Sequence, residues 1–456
     1  MAILTIACSP VEDNPQPVQV APTYITFSQN EFHFPVEGGS AQLEITAPSR
    51  PTLSGIPYWI KVTDGVYVNY KITYTITVEA NYTHSPKEDY INVQIGTRLG
   101  GFAVYQECIG DPIDSNADID IKLTNKNSSR DANCVYQFLR YIYGQRILSG
   151  VQSTDTANNN IALNRVYEIT GKHPALSCYD FIFLQYSPTP ENWSWKIDYS
   201  NISAAKEHWD ANGLVSYMWH WNVPTSEAAW EKGKNGEFNG YGFYSNDTAF
   251  DITRALTDGT WENEFLLGDI DKVAGYLKLL QAEGIPVIWR PLHEAAGNYN
   301  IYGTNGAWFW WGRGGAEPCK RLWKLLRDKL EGEYGLDNLI WVWTLDATQG
   351  AETQYSDWYP GNEYVDIIGV DIYADDTEAK QRQYNAAVAL SGGHKMVTIS
   401  ECGNIPDPRK CLSAAQFWSW FLVWDLDSYS LNTDTYWKTL MASPAVIGRE
   451  DMPFMK

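Results

Sequence analysis

The sequence predicts a two-domain α/β protein, in which a small all-β sandwich of immunoglobulin-like type precedes a (β/α)8 TIM barrel. The chain of 456 residues is too long for one average domain and fits a barrel of about 250 residues or more plus a smaller module. Short strand patterns occupy the first part, and strands alternate with helical patterns in the remainder. We expect a leader or tether at 1–22, the sandwich at 23–112, a linker at 113–129 and the barrel at 130–456.

Composition limits the function. Hydrophobic residues make up 44% of the chain and charged residues 20%, so a large core is expected. The formal charge of −21 repels phosphate backbones and argues against a nucleic-acid partner. Aromatic residues reach 14%, with 20 tryptophans. These rings either fill the core or offer flat apolar faces to a flat ligand such as a sugar.

The first residues, MAILTIAC, are similar to the end of a bacterial lipoprotein signal, with Cys8 as the candidate lipid acceptor. A short apolar run without a basic start is equally consistent with an ordinary N-terminus. The first interpretation places the protein outside the cytoplasm, secreted or anchored to the outer membrane of a bacterium. The seven cysteines form no CxxC motif, so no zinc site is expected, although Cys402 and Cys411 are near enough in sequence to form a disulfide.

Seven short segments with alternating apolar and polar residues predict an antiparallel sandwich between about 23 and 111. They are YITFS, EFHFPV, AQLEITA, YWIKVT, NYKITYTITVEAN, YINVQIG and GFAVYQECI. This segment resembles the BACON domain, an immunoglobulin-like module found beside glycan-degrading enzymes. The resemblance implies either sugar binding or a spacer that lifts the enzyme from the membrane, and we favour the spacer.

Eight further apolar runs follow the polar stretch DSNADIDIKLTNKNSS, with helical patterns between them, as a (β/α)8 barrel requires. The runs are RILSGVQ, ALSCYDF, LVSYMWHW, IPVIWRPLHE, NLIWVWTLDA, VDIIGVDIY, MVTISECG and FLVWDLD. The helical patterns ISAAKEHWDANG and DIDKVAGYLKLLQAEG each have a glycine just past their end, which predicts a glycine C-cap. Two insertions rich in glycine and aromatic residues, 231–247 and 298–312, are expected to form loops that wall a cleft.

The fourth and seventh runs end at Glu294 and Glu401, and strand ends at the carboxyl side of a barrel form its catalytic face. Two carboxyl groups that face each other there are the minimum apparatus for glycosidic bond cleavage. If the sixth strand ends level with the seventh, the hydroxyl group of Tyr373 can donate to Glu401 and keep it ionised. A lone glutamate after an apolar run would more often be a surface residue, so the pair carries the prediction.

WRPLHE, WFWWG, GVDIY, SECG and FLVW resemble glycoside hydrolase family 26, whose commonest activity is endo-β-1,4-mannanase, and the resemblance runs from about 136 to 427. It implies a retaining enzyme with Glu294 as the acid/base and Glu401 as the nucleophile. It also implies subsites lined by five residues: His220, His293, Trp308, Tyr373 and Trp424.

Each of these residues has a structural alternative. The histidines could be buried structural residues, part of WFWW could be core, Tyr373 could cap its strand, and Trp424 could lie inside the barrel. Asp371 is expected to be structural or hydrogen-bonding, and Asp180 could bind substrate or stabilise the barrel.

We therefore expect a monomeric hydrolase of β-mannan, such as galactomannan or glucomannan, that uses no metal and no cofactor. Two alternatives stay open. One is a related β-glycanase that acts on mixed-linkage β-glucan or β-1,3-xylan, and the other is a glycan-binding surface protein with an inactive barrel.

Overall fold

The computed structural model describes residues 21–57, 59–81, 86–108, 118–153, 159–191, 196–297, 307–346 and 355–453. These residues form two compact units, one within 21–108 and the other within 118–453. Cys8 lies outside the described residues, so the lipid anchor stays a prediction. No helix among the described residues is long and apolar enough to cross a bilayer.

The first unit is a sandwich of two four-stranded sheets. One sheet contains, in spatial order, β1 (Thr26–Phe27), β3 (Gly39–Thr46), β6 (Lys71–Val78) and β5 (Ile60–Asp64). The other contains β2 (Glu31–Phe34), β8 (Arg98–Gln106), β7 (Lys87–Ile95) and β4 (Thr52–Ser54). Alternate residues of the longer strands point inward and form one core from both sheets, which includes Phe34, Leu43, Ile76, Ile91 and Val104.

The sandwich prediction is confirmed, with two corrections. The structure has eight strands rather than seven, because the three residues of β4 pair with β7 at a sheet edge and are too few to show an alternating pattern. The sandwich is also not wholly antiparallel, since β2 pairs with β8 in parallel. The resemblance to the BACON domain stays a prediction.

The second unit is a closed barrel of eight parallel strands, and each of the eight predicted runs forms one of them. The strands are β9 (Ile147–Gln152), β10 (Leu176–Asp180), β11 (Leu214–Met218), β14 (Val287–Arg290), β15 (Leu339–Asp346), β16 (Ile367–Ile372), β17 (Met396–Cys402) and β18 (Trp418–Val423). Each pairs in parallel with the next, and β10 pairs with β9 to close the ring. The short strand β19 (Val446–Ile447) adds to β9, and β12 (Val223–Pro224) pairs with β13 (Tyr241–Gly242) on the rim.

Helices alternate with these strands. They are α1 (Arg130–Ile142), α2 (Ile161–Thr170), α3 (Ser203–Asp210), α4 (Glu227–Gly233), α5 (Ile252–Ala255), α6 (Trp261–Ala282), α7 (Ala316–Arg327), α8 (Tyr355–Trp358), α9 (Gln381–Ser391), α10 (Pro408–Ser413) and α11 (Asp434–Met441). Several start at a side-chain cap: Thr260 accepts a hydrogen bond from the N–H of Asn263 at the start of α6.

The two predicted glycine caps differ. Gly284 follows α6 with φ +67°, in the left-handed region that glycine favours. After α3 the left-handed residue is Asn212, with φ 71°, so that cap prediction is wrong. Gly213 is required for another reason, because a Cβ atom there would lie 2.2 Å from the ring of His208.

The described part of the predicted linker belongs to the barrel unit. Asp366 accepts hydrogen bonds from the N–H and the hydroxyl group of Thr124 at 2.7 and 2.8 Å, and Ile119 and Leu123 are buried. The polar composition of this stretch had predicted a linker, although Ile119 and Leu123 pack into the barrel unit. The thiols of Cys402 and Cys411 are both free and buried.

Candidate active site

The two glutamates lie together at the carboxyl ends of the barrel strands. Glu401 is the penultimate residue of β17, the seventh barrel strand, and Glu294 follows four residues after the end of β14, the fourth. Carboxyl oxygens of Glu294, Glu401 and Asp371 lie within 4.8 Å of one another. Glu294 and Glu401 are only 4% and 3% exposed. Charges at such a site are poorly screened by water, so their neighbours decide which carboxyl group is ionised.

Two donors hold the Glu401 carboxylate. Its Oε1 pairs with the guanidinium group of Arg290, and its Oε2 accepts a hydrogen bond of 2.6 Å from the hydroxyl group of Tyr373. Burial works to lower the pKa of Arg290, but the charges of Glu401 and Asp371 outweigh it and raise the pKa. Burial and the same carboxylates raise the pKa of Tyr373, so it remains a donor. Both contacts fix the orientation of the Glu401 carboxylate.

A β-bulge places Glu401 in this position. Val370 of β16 pairs with Ile399 of β17, but the next residue, Asp371, pairs with Glu401, so Ser400 is the extra residue. Gly369 makes room for it, because a Cβ atom at Gly369 would lie 2.4 Å from the hydroxyl oxygen of Ser400. A bulge of this kind redirects the side chain that follows it.

Asp371 connects both glutamates. Its Oδ2 lies 3.2 Å from Nη1 of Arg290, and its Oδ1 accepts a hydrogen bond of 2.7 Å from Ser400. Complete burial and the charge of Glu401 raise the pKa of Asp371 well above its ordinary value, although Arg290, Ser400 and a hydrogen bond with Glu294 oppose this. The raised pKa of Asp371 reflects the crowding of three buried carboxyl groups around one arginine.

Glu294 occupies a strained turn. Leu292 and Glu294 have φ values of 49° and 51°, a region that residues other than glycine rarely adopt. The N–H of Glu294 donates to the carbonyl oxygen of Thr344 at 3.3 Å, and the indole of Trp311 donates to the carbonyl oxygen of His293 at 2.9 Å. Such strain persists at sites where the surrounding structure holds it.

The two predicted histidines contact each other beyond the carboxyl ends of β11 and β14. His220 contacts the Asp180 carboxylate through Nδ1 at 2.6 Å, and its Nε2 lies 3.2 Å from Nε2 of His293. His293 is 1% exposed. The ring of His293 is enclosed by His220, Phe309 and Trp311, and its contact with substrate stays a prediction.

The aromatic residues form a wall around this pair. The ring centroid of Trp424 lies 5.4 Å from that of His220, and Trp424 and Trp308 are half-buried. Phe309, Trp310 and Trp311 are buried, so three of the four residues in WFWW belong to the core.

The described parts of the two insertions join each other on the rim. Tyr244 bridges to Phe309, and the N–H of Ser245 donates to the carbonyl oxygen of Trp308 at 2.6 Å. Residues 298–306 of the second insertion lie outside the described residues.

Among the described residues, Glu294, Asp371 and Glu401 form a group that could hold a metal ion, because hard cations prefer carboxylate oxygens. The guanidinium group of Arg290 already contacts two of the three, so the arrangement fits an acidic cluster that an arginine neutralises.

Sequence reasoning did not identify the partners of Arg290, Asp371 and Asp180, although it expected Asp371 to be structural or to form hydrogen bonds. Each is a charged residue at or near the end of an apolar run, which was the available signal. Their partners lie 40 to 111 residues away in the chain, so only the folded barrel identifies them.

Comparison with known proteins agrees with this geometry. The model of Glycosyl hydrolase family 26 matches residues 124–451. The chain is 35% identical over 351 residues to mannan endo-1,4-beta-mannosidase A of Piromyces sp., covering 75% of this chain and 52% of that protein. It is 35% identical over 343 residues to a mannan endo-1,4-beta-mannosidase of Thermothelomyces thermophilus, covering 73% of this chain and 64% of that protein. The chain thus spans about half to two thirds of the length of these relatives.

Solved structures give the same result. The family 26 domain of an endo-beta-mannanase/endo-beta-glucanase from Prevotella bryantii matches with a TM-score of 0.65 and 34% identity, covering 73% of this chain and 99% of that chain. A beta-mannanase from a symbiotic protist of the termite Reticulitermes speratus, complexed with gluco-manno-oligosaccharide, matches with a TM-score of 0.63 and 31% identity, covering 74% of this chain and 99% of that chain.

Proposed function

This chain belongs to glycosyl hydrolase family 26, and from that premise we propose that it is a retaining endo-β-1,4-mannanase. The observation that carries the proposal is the pair of carboxyl groups at the ends of the fourth and seventh strands, with oxygens within 4.8 Å of each other. Retaining glycosidases hold their carboxyl groups about 5–5.5 Å apart, whereas inverting enzymes leave about 6.5–9.5 Å for a water molecule.

In the first step, Glu401 is the nucleophile. Its carboxylate, held by Arg290 and Tyr373, attacks the anomeric carbon and forms a covalent glycosyl–enzyme intermediate. Glu294 donates its proton to the glycosidic oxygen as the bond to the leaving sugar breaks. The position of Glu294 beside two other buried carboxyl groups supports this assignment, because neighbouring negative charge favours the protonated form of a carboxyl group.

In the second step, Glu294, now ionised, accepts a proton from a water molecule that attacks the same anomeric carbon. Glu401 leaves as a carboxylate, and the product keeps the configuration of the substrate. The role of Arg290 follows from charge. It pairs with the Glu401 carboxylate and stabilises the negative charge that returns to Glu401 as the ester bond breaks.

The half-buried rings of Trp308 and Trp424 are suited to stack on sugar faces on either side of the cleaved bond. Tyr373 completes the sugar site at Glu401, and the sugar contacts predicted for His220 and His293 stay predictions.

The named activities of the relatives support β-mannan as the substrate, and a polysaccharide panel tests it. We expect linear mannan, galactomannan and glucomannan to be cut to short oligosaccharides, with early products of mixed length as an endo-acting enzyme gives. Proton NMR of the first product formed should show the β anomer.

The other outcomes are distinct. Preferred cleavage of mixed-linkage β-glucan or β-1,3-xylan would identify a different β-glycanase. Binding without turnover on every polysaccharide would identify an inactive glycan-binding protein, and an α anomer as first product would exclude the retaining mechanism.

A further inference from the structure

A chain of three buried side chains leads across the rim to the turn that carries Glu294. Asp180 accepts a hydrogen bond of 3.0 Å from the backbone N–H of His220 and lies 2.6 Å from its Nδ1. Nε2 of His220 lies 3.2 Å from Nε2 of His293. The three residues lie at or just beyond the ends of β10, β11 and β14, which are neighbouring strands, so the chain passes from each strand to the next.

Chemistry decides which ring nitrogens of His220 and His293 carry hydrogen atoms. The carboxylate of Asp180 is an acceptor, so Nδ1 of His220 carries a hydrogen. Burial, followed by His220 and Arg290, lowers the pKa of His293 well below its ordinary value, so His293 is neutral and carries one ring hydrogen.

That single hydrogen belongs on Nε2 of His293. There it is donated to Nε2 of His220. On Nδ1 it would meet no acceptor among the described protein groups. An orphaned buried N–H is rarer in proteins than an under-used acceptor.

His293 stands between the two strained residues of the turn, Leu292 and Glu294. Hydrogen bonds to the backbone hold this turn: the carbonyl oxygen of His293 accepts from the indole of Trp311, the N–H of Glu294 donates to Thr344, and the carbonyl oxygen of Glu294 accepts from the N–H of Gly297. The ring of His293 is a further anchor, and it is linked to β11 and β10 through His220 and Asp180.

We propose that Asp180 is a positioning residue for Glu294: through His220 it fixes the hydrogen of His293 on Nε2, and the resulting chain of hydrogen bonds holds the turn that directs the Glu294 carboxyl group into the cleft. The proposal rests on the acid role of Glu294 in the proposed function. Asp180 acts through two imidazole rings and takes no part in the bond changes.

Asp180→Asn is the sharpest variant, because it keeps the size of the side chain and replaces one acceptor by an NH2 donor. If the NH2 group faces the backbone N–H of His220, that hydrogen bond is lost. If the NH2 group faces Nδ1, His220 must carry its hydrogen on Nε2, which forces the hydrogen of His293 onto Nδ1.

Two substrates separate positioning of the acid from general damage. A mannooligosaccharide needs a proton on its leaving oxygen, whereas a 2,4-dinitrophenyl β-mannoside has a good leaving group and needs little acid help. For Asp180→Asn we expect kcat/KM to fall about 100-fold on the first and less than about threefold on the second. An equal loss on both substrates would overturn the proposal.

Asp366→Asn is the matched control. Asp366 is a buried aspartate of the barrel, but it lies at the amino end of β16, on the rim opposite to Asp180 and the glutamates. It should change kcat/KM on the two substrates equally. If Asp366→Asn lowers kcat/KM on the mannooligosaccharide much more than on the aryl mannoside, any damage to the barrel produces this difference. The proposal would then be refuted.

Nitrogen-15 NMR of histidine-labelled protein gives a readout that needs no substrate. In the wild type we expect hydrogen on Nδ1 of His220 and on Nε2 of His293, and the order should reverse or break in Asp180→Asn. Hydrogen on Nδ1 of wild-type His293 would overturn the proposal even if the variant does not fold. A wild type that cleaves no β-mannan would instead refute the proposed function, while the NMR result would still decide the hydrogen order.

Discussion

Strand β16 has a buried aspartate at each end, and the two aspartates are used differently. Asp366, at the amino end, accepts hydrogen bonds from Thr124 and from the N–H of Trp341. Asp371, at the carboxyl end, shares its surroundings with Arg290 and two other carboxyl groups. The first is surrounded by donors that tie the chain to the barrel, and the second by competing charges. The same residue type, equally buried, stabilises one rim and serves chemistry on the other.

The largest effect should follow from removing the nucleophile at the carboxyl-end rim. Glu401→Ala leaves Arg290 and Tyr373 without the carboxylate they hold and removes the attacking group. We expect kcat on mannan to fall by about 10⁴-fold or more. Reducing-sugar release measures this, with circular dichroism to check folding. Substantial activity in a folded variant would remove Glu401 from the mechanism.

Glu294→Ala should have the next largest effect, and a selective one. Loss of general acid catalysis costs about 10²–10⁴-fold, so kcat/KM on mannooligosaccharides should fall within that range. On 2,4-dinitrophenyl β-mannoside, kcat/KM should change little, and the slow second step should appear as a burst of dinitrophenol. Equal losses on both substrates would show that Glu294 is not the acid.

The two aspartates of β16 can be compared directly with matched variants. Asp371→Asn should lower kcat/KM by about 10–100-fold, since hydrogen bonds to charged groups contribute about 1.5–3 kcal/mol. Asp366→Asn should leave kcat/KM nearly unchanged and lower the free energy of unfolding by about 1–3 kcal/mol, because one buried donor loses its acceptor. Urea unfolding and steady-state kinetics on both variants test this. If the effects are exchanged, the contrast between the rims is wrong.

The same contrast explains what the sequence could predict. The eight barrel runs and the rim position of both glutamates follow from local patterns, because apolar runs of strand length mark buried strands. The bulge at Ser400 depends on Gly369 of the neighbouring strand, and β4 is too short for any periodic signal. Pairings such as Asp180 with His220 join residues whose proximity only the closed barrel creates.

A buried histidine near the amino ends of the strands, His208, gives the prediction with the smallest expected effect. His208 is buried near the amino ends of β10 and β11, where Nε2 donates to the carbonyl oxygen of Ala175 and Nδ1 accepts from Arg449. In the neutral ring, both nitrogens therefore have a hydrogen-bond partner. Burial, with the charge of Arg449, lowers the pKa of His208 to about 3.

Because the unfolded chain binds this proton near pH 6.5 and the folded chain does not, the unfolded state holds more protons between about pH 6.5 and 3. Stability is therefore complete above pH 6.5 and falls as the pH drops through this window, by about 2 kcal/mol at pH 5 from this residue. His208→Gln should be less stable at pH 7 but should lose correspondingly less on acidification, and urea unfolding at pH 7 and pH 5 measures the difference. If the free energy of unfolding falls equally with pH in both proteins, His208 is already charged in the folded barrel. The contrast between the histidines of the two rims would then be wrong.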